Sequence, residues 1–397
     1  MEVKQIYTII NSVSSEVLGK TDIVAEDLTG IVDLGTEVFN QNAVDNYVKS
    51  LVNHIGKVIF VNRPYAGKVP SVLMDAWEFG SVLEKISADV PEAEENDTWN
   101  LTDGQSYDQD VFHKPTVTAK FFNSKVTFEV PVSITERQVK ESFSNAAQLN
   151  GFISMIYAAV EKSMTIKADA LIMRTINNMI AETVLADAVA FGATAAGDMT
   201  GADLSSASTA RCVNLLKLYN DKTGAETPLT AAKAITDPDF IRFASYVMGT
   251  YADRLQSIST VFNVGKKERF TPKDMLHVVL LSDFAKAAQT YLYSDTFNRG
   301  DVLLPKAETV PFWQGSGQNY EFASTGNINI KESGGKAVEI SGVLGVMFDR
   351  DALGVCNLDR RVTTNYNAKA EFFNNYYKFD AGYFNDTNEN FVVFFIE

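Results

Sequence analysis

Two neighbouring segments limit what this chain can fold into more than any other feature. Thr116 to Thr135 reads as an extended run, with Val126, Phe128, Val130 and Val132 on one face and Thr127 and Glu129 on the other. A period of two belongs to a half-buried strand. Shortly after it, Asn150 to Val184 places Ile153, Ile156, Val160, Met164, Ala168 and Leu171 at steps of three and four, with no proline. That spacing predicts one long helix. About 35 residues at 1.5 Å each make a rod on the order of 50 Å, far beyond the usual three turns. A rod of that length spans a domain or braces an extended plate.

The extended run has a companion upstream. Trp77 to Val90 carries Trp77, Phe79, Val82 and Ile86 among polar residues, and the acidic, turn-rich stretch Pro91 to Asp110 leads from it to Thr116. The pair predicts two long strands joined by a polar tip, a β-arm. Such a hairpin is marginal alone in water, so it requires a partner surface.

Around these elements the pattern is mixed. Glu37 to Ile55 has helical spacing. Ser206 to Asn220 and Asp239 to Ser259 predict helices, the second with Asp237 as N-cap and Pro238 at the first position. Leu276 to Leu281 reads as a buried strand, and Ser282 and Asp283 then cap a helix over Phe284 to Leu292, which implies an α/β layer. Asn327 to Lys331, Ala337 to Ile340 and Val343 to Phe348 read as strands. So do Thr363 to Phe373, Tyr376 to Phe384 and the apolar run Phe391 to Ile396. A terminal apolar strand is expected to be tied into a sheet.

Composition narrows function by exclusion. The 397 residues, 46% of them hydrophobic, are ample for a core and for two or three domains. A net charge of −15 argues against direct phosphate-backbone binding. The small basic groups Lys266, Lys267, Arg269 and Arg360, Arg361 read as solvated or salt-bridged surface. Cys212 and Cys356 read as small buried hydrophobes of a reduced compartment. Met1 to Gly19 lacks the pattern of a secretory signal, and no stretch reaches the roughly 20 apolar residues of a membrane span.

The search for chemistry is mostly negative. His54, His113 and His277 have no metal-binding neighbours in sequence, and His277 reads as a hydrogen-bonded core histidine. Gly334-Gly335-Lys336 lacks the rest of a phosphate loop, and Gly315-Ser316-Gly317 lacks the third glycine of a dinucleotide fingerprint. Glu92, Glu94, Glu95 and Asp97 could offer oxygens to a divalent cation, but their spacing is not that of an EF-hand, and a solvated tip is the expectation. No catalytic, cofactor-binding or metal-binding residue is assigned, and no cofactor is expected.

The order of parts, together with four local passages, resembles the major capsid proteins of tailed bacteriophages, with the Hong Kong 97-like fold. The passages are Phe128-Glu129-Val130-Pro131-Val132-Ser133-Ile134-Thr135 before the long helix, Leu276 to Ala288, Val343 to Val355, and Thr363 to Phe395, which resembles the tail strands of the peripheral domain. The resemblance implies an α+β subunit with an N-terminal arm at 1–75, an extended β-loop at 76–135 and a peripheral domain with a spine helix at 136–205. An axial α/β domain would follow at 206–358, with peripheral return strands at 359–397. It implies a structural, non-enzymatic protein whose copies form pentamers and hexamers and close into an icosahedral head around double-stranded DNA, without sequence-specific binding. The implied partners are other copies, a separate scaffolding protein, a portal and head accessory proteins. The implied location is the virion, after assembly in a bacterial cytoplasm. A cellular cage of the same fold, a β-arm binding or adhesion protein, and an acidic hydrolase are the competing readings.

Overall fold

The computed structural model describes residues 3–20, 31–40, 69–74, 83–88, 116–142, 146–293, 307–313, 328–331 and 337–397, with most of 91–107 and isolated positions near 24, 43–51 and 112–114. Helices α1 (Val3–Leu18) and α2 (Ile31–Asn40) precede strands β1 (Leu73–Met74), β2 (Leu83–Ala88), β3 (Val117–Phe122) and β4 (Lys125–Thr135). Short α3 (Glu136–Ser142) leads into α4 (Ala146–Ala186). Then come β5 (Cys212–Asn214), α5 (Leu215–Thr223), α6 (Ala231–Ala234), α7 (Pro238–Arg254), β6 (Leu276–Leu281) and α8 (Ser282–Tyr293). Strands β7 (Glu308–Val310), β8 (Ile328–Lys331), β9 (Ala337–Ile340), β10 (Val343–Asp349), β11 (Leu353–Asn367), β12 (Phe372–Asn385) and β13 (Phe391–Phe395) complete the order.

The spine α4 has 41 residues, about 60 Å of helix. Its two halves bury different surfaces. In the first, Leu149, Phe152, Ile153, Ile156, Val160 and Met164 are buried at helical spacing while Met155 is 57% exposed. This stripe, with α1, covers one face of the four-stranded sheet β1-β11-β12-β4. In the second, Leu171, Ile172, Met173, Ile176, Met179, Ile180 and Val184 are buried on almost every side. Thr175 and Thr183 in that half donate to the carbonyls of Leu171 and Met179 at 2.8 and 2.7 Å, and the Asn177 amide donates to the distant Trp313 carbonyl. Buried polar groups need such partners; the Asn177 Oδ1 is buried without one among the described residues.

The four-stranded sheet shows the expected alternation. Val126, Phe128, Val130 and Val132 of β4 lie opposite Ala381, Phe379, Tyr377 and Asn375 of β12. Of these, Val130, Phe128, Phe379 and Tyr377 join the core under the first half of α4. The other face is polar and cross-paired, with Glu129 to Lys378 at 3.3 Å, and Arg361 to Asp380 at 2.6 Å. β4 is an edge strand of that sheet, where Pro131 is tolerated because an edge does not need every N–H in a ladder.

The second sheet, ordered β5-β13-β10-β6-β7, separates two cores. Val279, Leu281, Val346, Phe348, Val393 and Phe395 face the second half of α4. Val278, Leu280, Met347, Val392 and Phe394 face α5, α7 and α8, where Phe240, Ile241, Met248 and Phe284 are buried. Asp237 caps α7 as expected, accepting from the N–H groups of Asp239 and Phe240, both at 2.9 Å.

Several sequence expectations change. The run Thr116 to Thr135 is two strands, not one. It breaks at Asn123 and Ser124, so that β3 pairs with β2 while β4 pairs with β12. The expected helix over Ser206 to Asn220 begins only at Leu215, because Cys212, Val213 and Asn214 are fully buried as an edge strand beside β13. Of 359–397, expected as a single group of return strands, β13 goes instead to the five-stranded sheet between β5 and β10. Its five residues are buried on both faces, a setting found inside a covered sheet. Of the helix expected over Glu37 to Ile55, the first four residues close α2, and Val52 to Ile55 lie outside the described residues.

Candidate assembly arm

The arm is the hairpin β2–β3, paired antiparallel from Leu83↔Phe122 to Ala88↔Val117. β2 alternates half-buried and exposed positions along its length. Apolar side chains stand in solvent on it: Ile86 is 64% exposed, Phe121 62% and Val117 56%. Beyond the strands Trp99 is 94% exposed, Phe112 85% and Leu101 66%. Monomeric proteins scatter single apolar residues on their surface, but a concentration on one projecting element marks an interaction site.

The root of the arm is held by charge. Lys85 reaches Asp386 at 3.1 Å and Glu389 at 2.7 Å and donates to the Asp351 carbonyl at 3.2 Å. Lys120 reaches the other oxygen of Asp386 at 3.0 Å and Thr387 Oγ1 at 3.4 Å. Phe122 packs on Phe384 with ring centroids 5.1 Å apart. Asp386 and Glu389 lie in the turn between β12 and β13 and are nearly buried, at 2% and 9%. Burial alone would push the Asp386 carboxyl up, but the ammonium groups of Lys85 and Lys120 and the Asn388 N–H hold it below its usual value. Burial would likewise push Lys85 down, but Glu389 and Asp386 outweigh it and hold its ammonium above the usual value. Asp349 shifts the other way, raised by burial.

The same turn anchors the segment 259–271. Arg269 meets Glu389 at 3.3 Å, Gly265 N–H donates to the Thr387 carbonyl at 2.8 Å, and Asn390 donates to Thr271 Oγ1 at 3.1 Å. The Lys266–Arg269 group is therefore folded into a turn, and Arg361 is paired, as salt-bridged surface would be.

The remaining sequence candidates do not converge. His277 stacks on Phe348 at 5.5 Å, and burial pushes its imidazole below the usual value. His54, His113, Glu92, Glu94, Gly315 to Gly317 and Gly334 to Lys336 lie outside the described residues. Cys212 and Cys356 are buried free thiols. Among the described residues, no cluster of three His, Cys, Asp or Glu side chains is placed to hold a metal. Among them, too, no helix is long and apolar enough to cross a membrane.

The charged turn escaped sequence reading. Nothing in the sequence singles out Asn385 to Asn390, and nothing around Lys85 and Lys120 says that they face each other.

A two-sheet body braced by one long helix, with exposed apolar side chains on a hairpin, has the make-up of a structural subunit. The family profile described as Phi29-like phage major capsid protein matches residues 6–395, and the chain belongs to that family. It is thus a structural component of a phage capsid shell. No curated protein matches it. Among solved structures it is similar to a chain of the Staphylococcus phage Andhra capsid, at 8% identity over 84% of each chain with a TM-score of 0.47. It is similar to one from the capsid of cyanophage P-SCSP1u, at 10% identity over 84% of this chain and 88% of that one with a TM-score of 0.42. A chain of the bacteriophage PhiM1 mature capsid matches at 8% identity over 84% and 87%, with a TM-score of 0.40.

Proposed function

We propose that copies of this chain form pentamers and hexamers that close into an icosahedral head around double-stranded DNA, each arm lying over a neighbouring subunit. The observation that carries this reading is the set of exposed apolar residues on the arm strands and in the segment between them, with Ile86 64%, Phe121 62%, Trp99 94% and Phe112 85% exposed. Burying such side chains is worth about 1.5–3 kcal/mol each, and in this chain they find no cover. Heterologous contacts that close by rotation give rings, which suits an arm reaching in one direction.

The division into N-terminal arm 1–75, extended loop 76–135, peripheral domain 136–205, axial domain 206–358 and return strands from 359 belongs to the same proposal, with the last strand reassigned to the axial sheet. So do a scaffolding protein, a portal and head accessory proteins as partners, assembly in the bacterial cytoplasm, and a purely structural role without catalysis. The net charge of −15 leaves DNA to be held by enclosure and counterions, not by sequence-specific contacts.

The test is expression of the full chain with its scaffolding protein, followed by negative-stain imaging. Closed particles or rings are expected. A protein that stays monomeric at high concentration with scaffold and portal supplied overturns the reading. Deleting 91–110 should leave the subunit folded and lower particle yield; an unchanged yield refutes the role of the arm.

A further inference from the structure

Lys85 and Lys120 are directly opposite each other in the register of β2 and β3. Like charges at facing positions of an antiparallel pair work against the pairing, and a lone two-stranded hairpin is already marginal. The two ammonium groups are reconciled by one carboxylate. Asp386 gives Oδ2 to Lys85 and Oδ1 to Lys120, at 3.1 and 3.0 Å. Glu389 takes a second contact from Lys85 at 2.7 Å.

The receiving turn is itself rigid. Asp386 N–H donates to the Ala352 carbonyl at 2.6 Å, Asn388 N–H donates to Asp386 Oδ1 at 3.1 Å, and Arg269 Nε meets the same Glu389 oxygen as Lys85, at 3.3 Å. The remaining acidic neighbours are Asp349, whose backbone N–H donates to the Asn390 carbonyl, and Asp351, whose carbonyl accepts from Lys85.

We propose that the 386–389 turn is an anionic socket on which the pairing of the arm strands depends: the hairpin holds its register when seated and loses it when the socket is removed. The arm is then a conditional element. Its two strands do not carry enough favourable cross-strand charge to stay paired by themselves, and their ordering is tied to the body of the subunit. The inference rests on the arm reading only for its consequence, since its test uses the unassembled subunit.

The discriminating variant is Lys120→Glu. It creates an opposite-charge pair with Lys85 across the hairpin, which by cross-strand rules strengthens the pairing. It also sets a carboxylate against Asp386. Hydrogen exchange on the unassembled full chain reads which influence governs. If the socket governs, amides of 117–122 exchange about tenfold faster than in the unaltered protein. Slower or unchanged exchange overturns the proposal. Lys120 is 38% exposed, so the variant is expected to fold. A second measurement, Asp386→Asn in the Lys85→Met/Lys120→Met background, should alter exchange of the hairpin by no more than about twofold, against about tenfold in the unaltered background. Equal effects in both backgrounds overturn it. Particle yield is scored separately: loss of assembly with an undisturbed hairpin counts against this inference and leaves the capsid reading intact.

Discussion

Ile156 tests how the spine organises the subunit. It is 1% exposed and sits in the core formed by α4, α1 and the four-stranded sheet, among Val130, Ile134, Phe373, Tyr377 and Phe379. Truncation to alanine removes three carbons from a packed site and leaves a cavity that a helix fixed at both ends cannot close. A loss of about 3 kcal/mol follows, within the usual 2–5 for such changes. Ile156→Val should cost about 1. Met155, its neighbour in sequence, is 57% exposed, and Met155→Ala should stay within about 0.5 kcal/mol. Urea unfolding of the unassembled subunit gives the comparison through two probes. Far-UV circular dichroism follows the helices. Tryptophan fluorescence is sensitive to Trp313, which is fully buried in the other core, under the second half of α4. Because one unbroken helix runs through both cores, the Ile156→Ala shift should appear equally in both signals. A dichroism transition that moves while fluorescence stays put would show that the spine does not couple the cores. Equal midpoints for Ile156→Ala and Met155→Ala would show that the buried face is wrong.

Other substitutions probe the turn and the helix. Gly342→Ala, in the turn between β9 and β10, should destabilise, because Gly342 has φ +59° and a Cβ there would lie 2.5 Å from the Ile396 carbonyl oxygen; thermal melts check it, and an unshifted melt refutes the close approach. Gly151→Ala should stabilise by about 0.5–1 kcal/mol, since Gly151 is helical with nothing within 4 Å of an added Cβ; a lower urea midpoint would contradict this. For pH the signs oppose. The depressed Asp386 carboxyl contributes stability that is present above the unfolded carboxylate range and lost as pH falls through its lowered folded value. Asp349, raised by burial, is a cost at neutral pH that disappears as the pH falls through its folded value and then its unfolded value. Asp349→Asn should therefore melt higher than the unaltered protein at pH 7, and the difference should shrink toward pH 3. A difference constant across that range refutes the linkage.

What the sequence made legible was local. The alternation of Val126 to Val132, the buried stripe from Ile153 to Leu171, the Asp237-Pro238 helix start and the Leu276–Leu281 strand followed by a capped helix all repeat with a short period that burial enforces. What it concealed was pairing at long range. Thr116 to Thr135 is a continuous extended text, and the break at Asn123 and Ser124 matters only because β2 and β12 claim its two halves. Phe391 to Phe395 is a continuous apolar run, unlike the alternating strand before it, and that marks a strand covered on both faces; which sheet receives it is decided by a slot between β5 and β10 that no local pattern encodes. The site was hidden for the same reason. The facing of Lys85 and Lys120 is a fact of register, and Asp386 lies more than 260 positions from either.

The placement of β13 bears on how such a chain is made. Val392 and Phe394 close one core and Phe391, Val393 and Phe395 the other, so the lane between β5 and β10 is filled by residues translated after every other strand of that sheet. Until they leave the ribosome, β5 and β10 face an empty lane and two half-built cores lie open to water. Completion of that sheet therefore waits for the strand that comes last in its sequence order. A chain interrupted before Phe391 would lack the residues that close both cores.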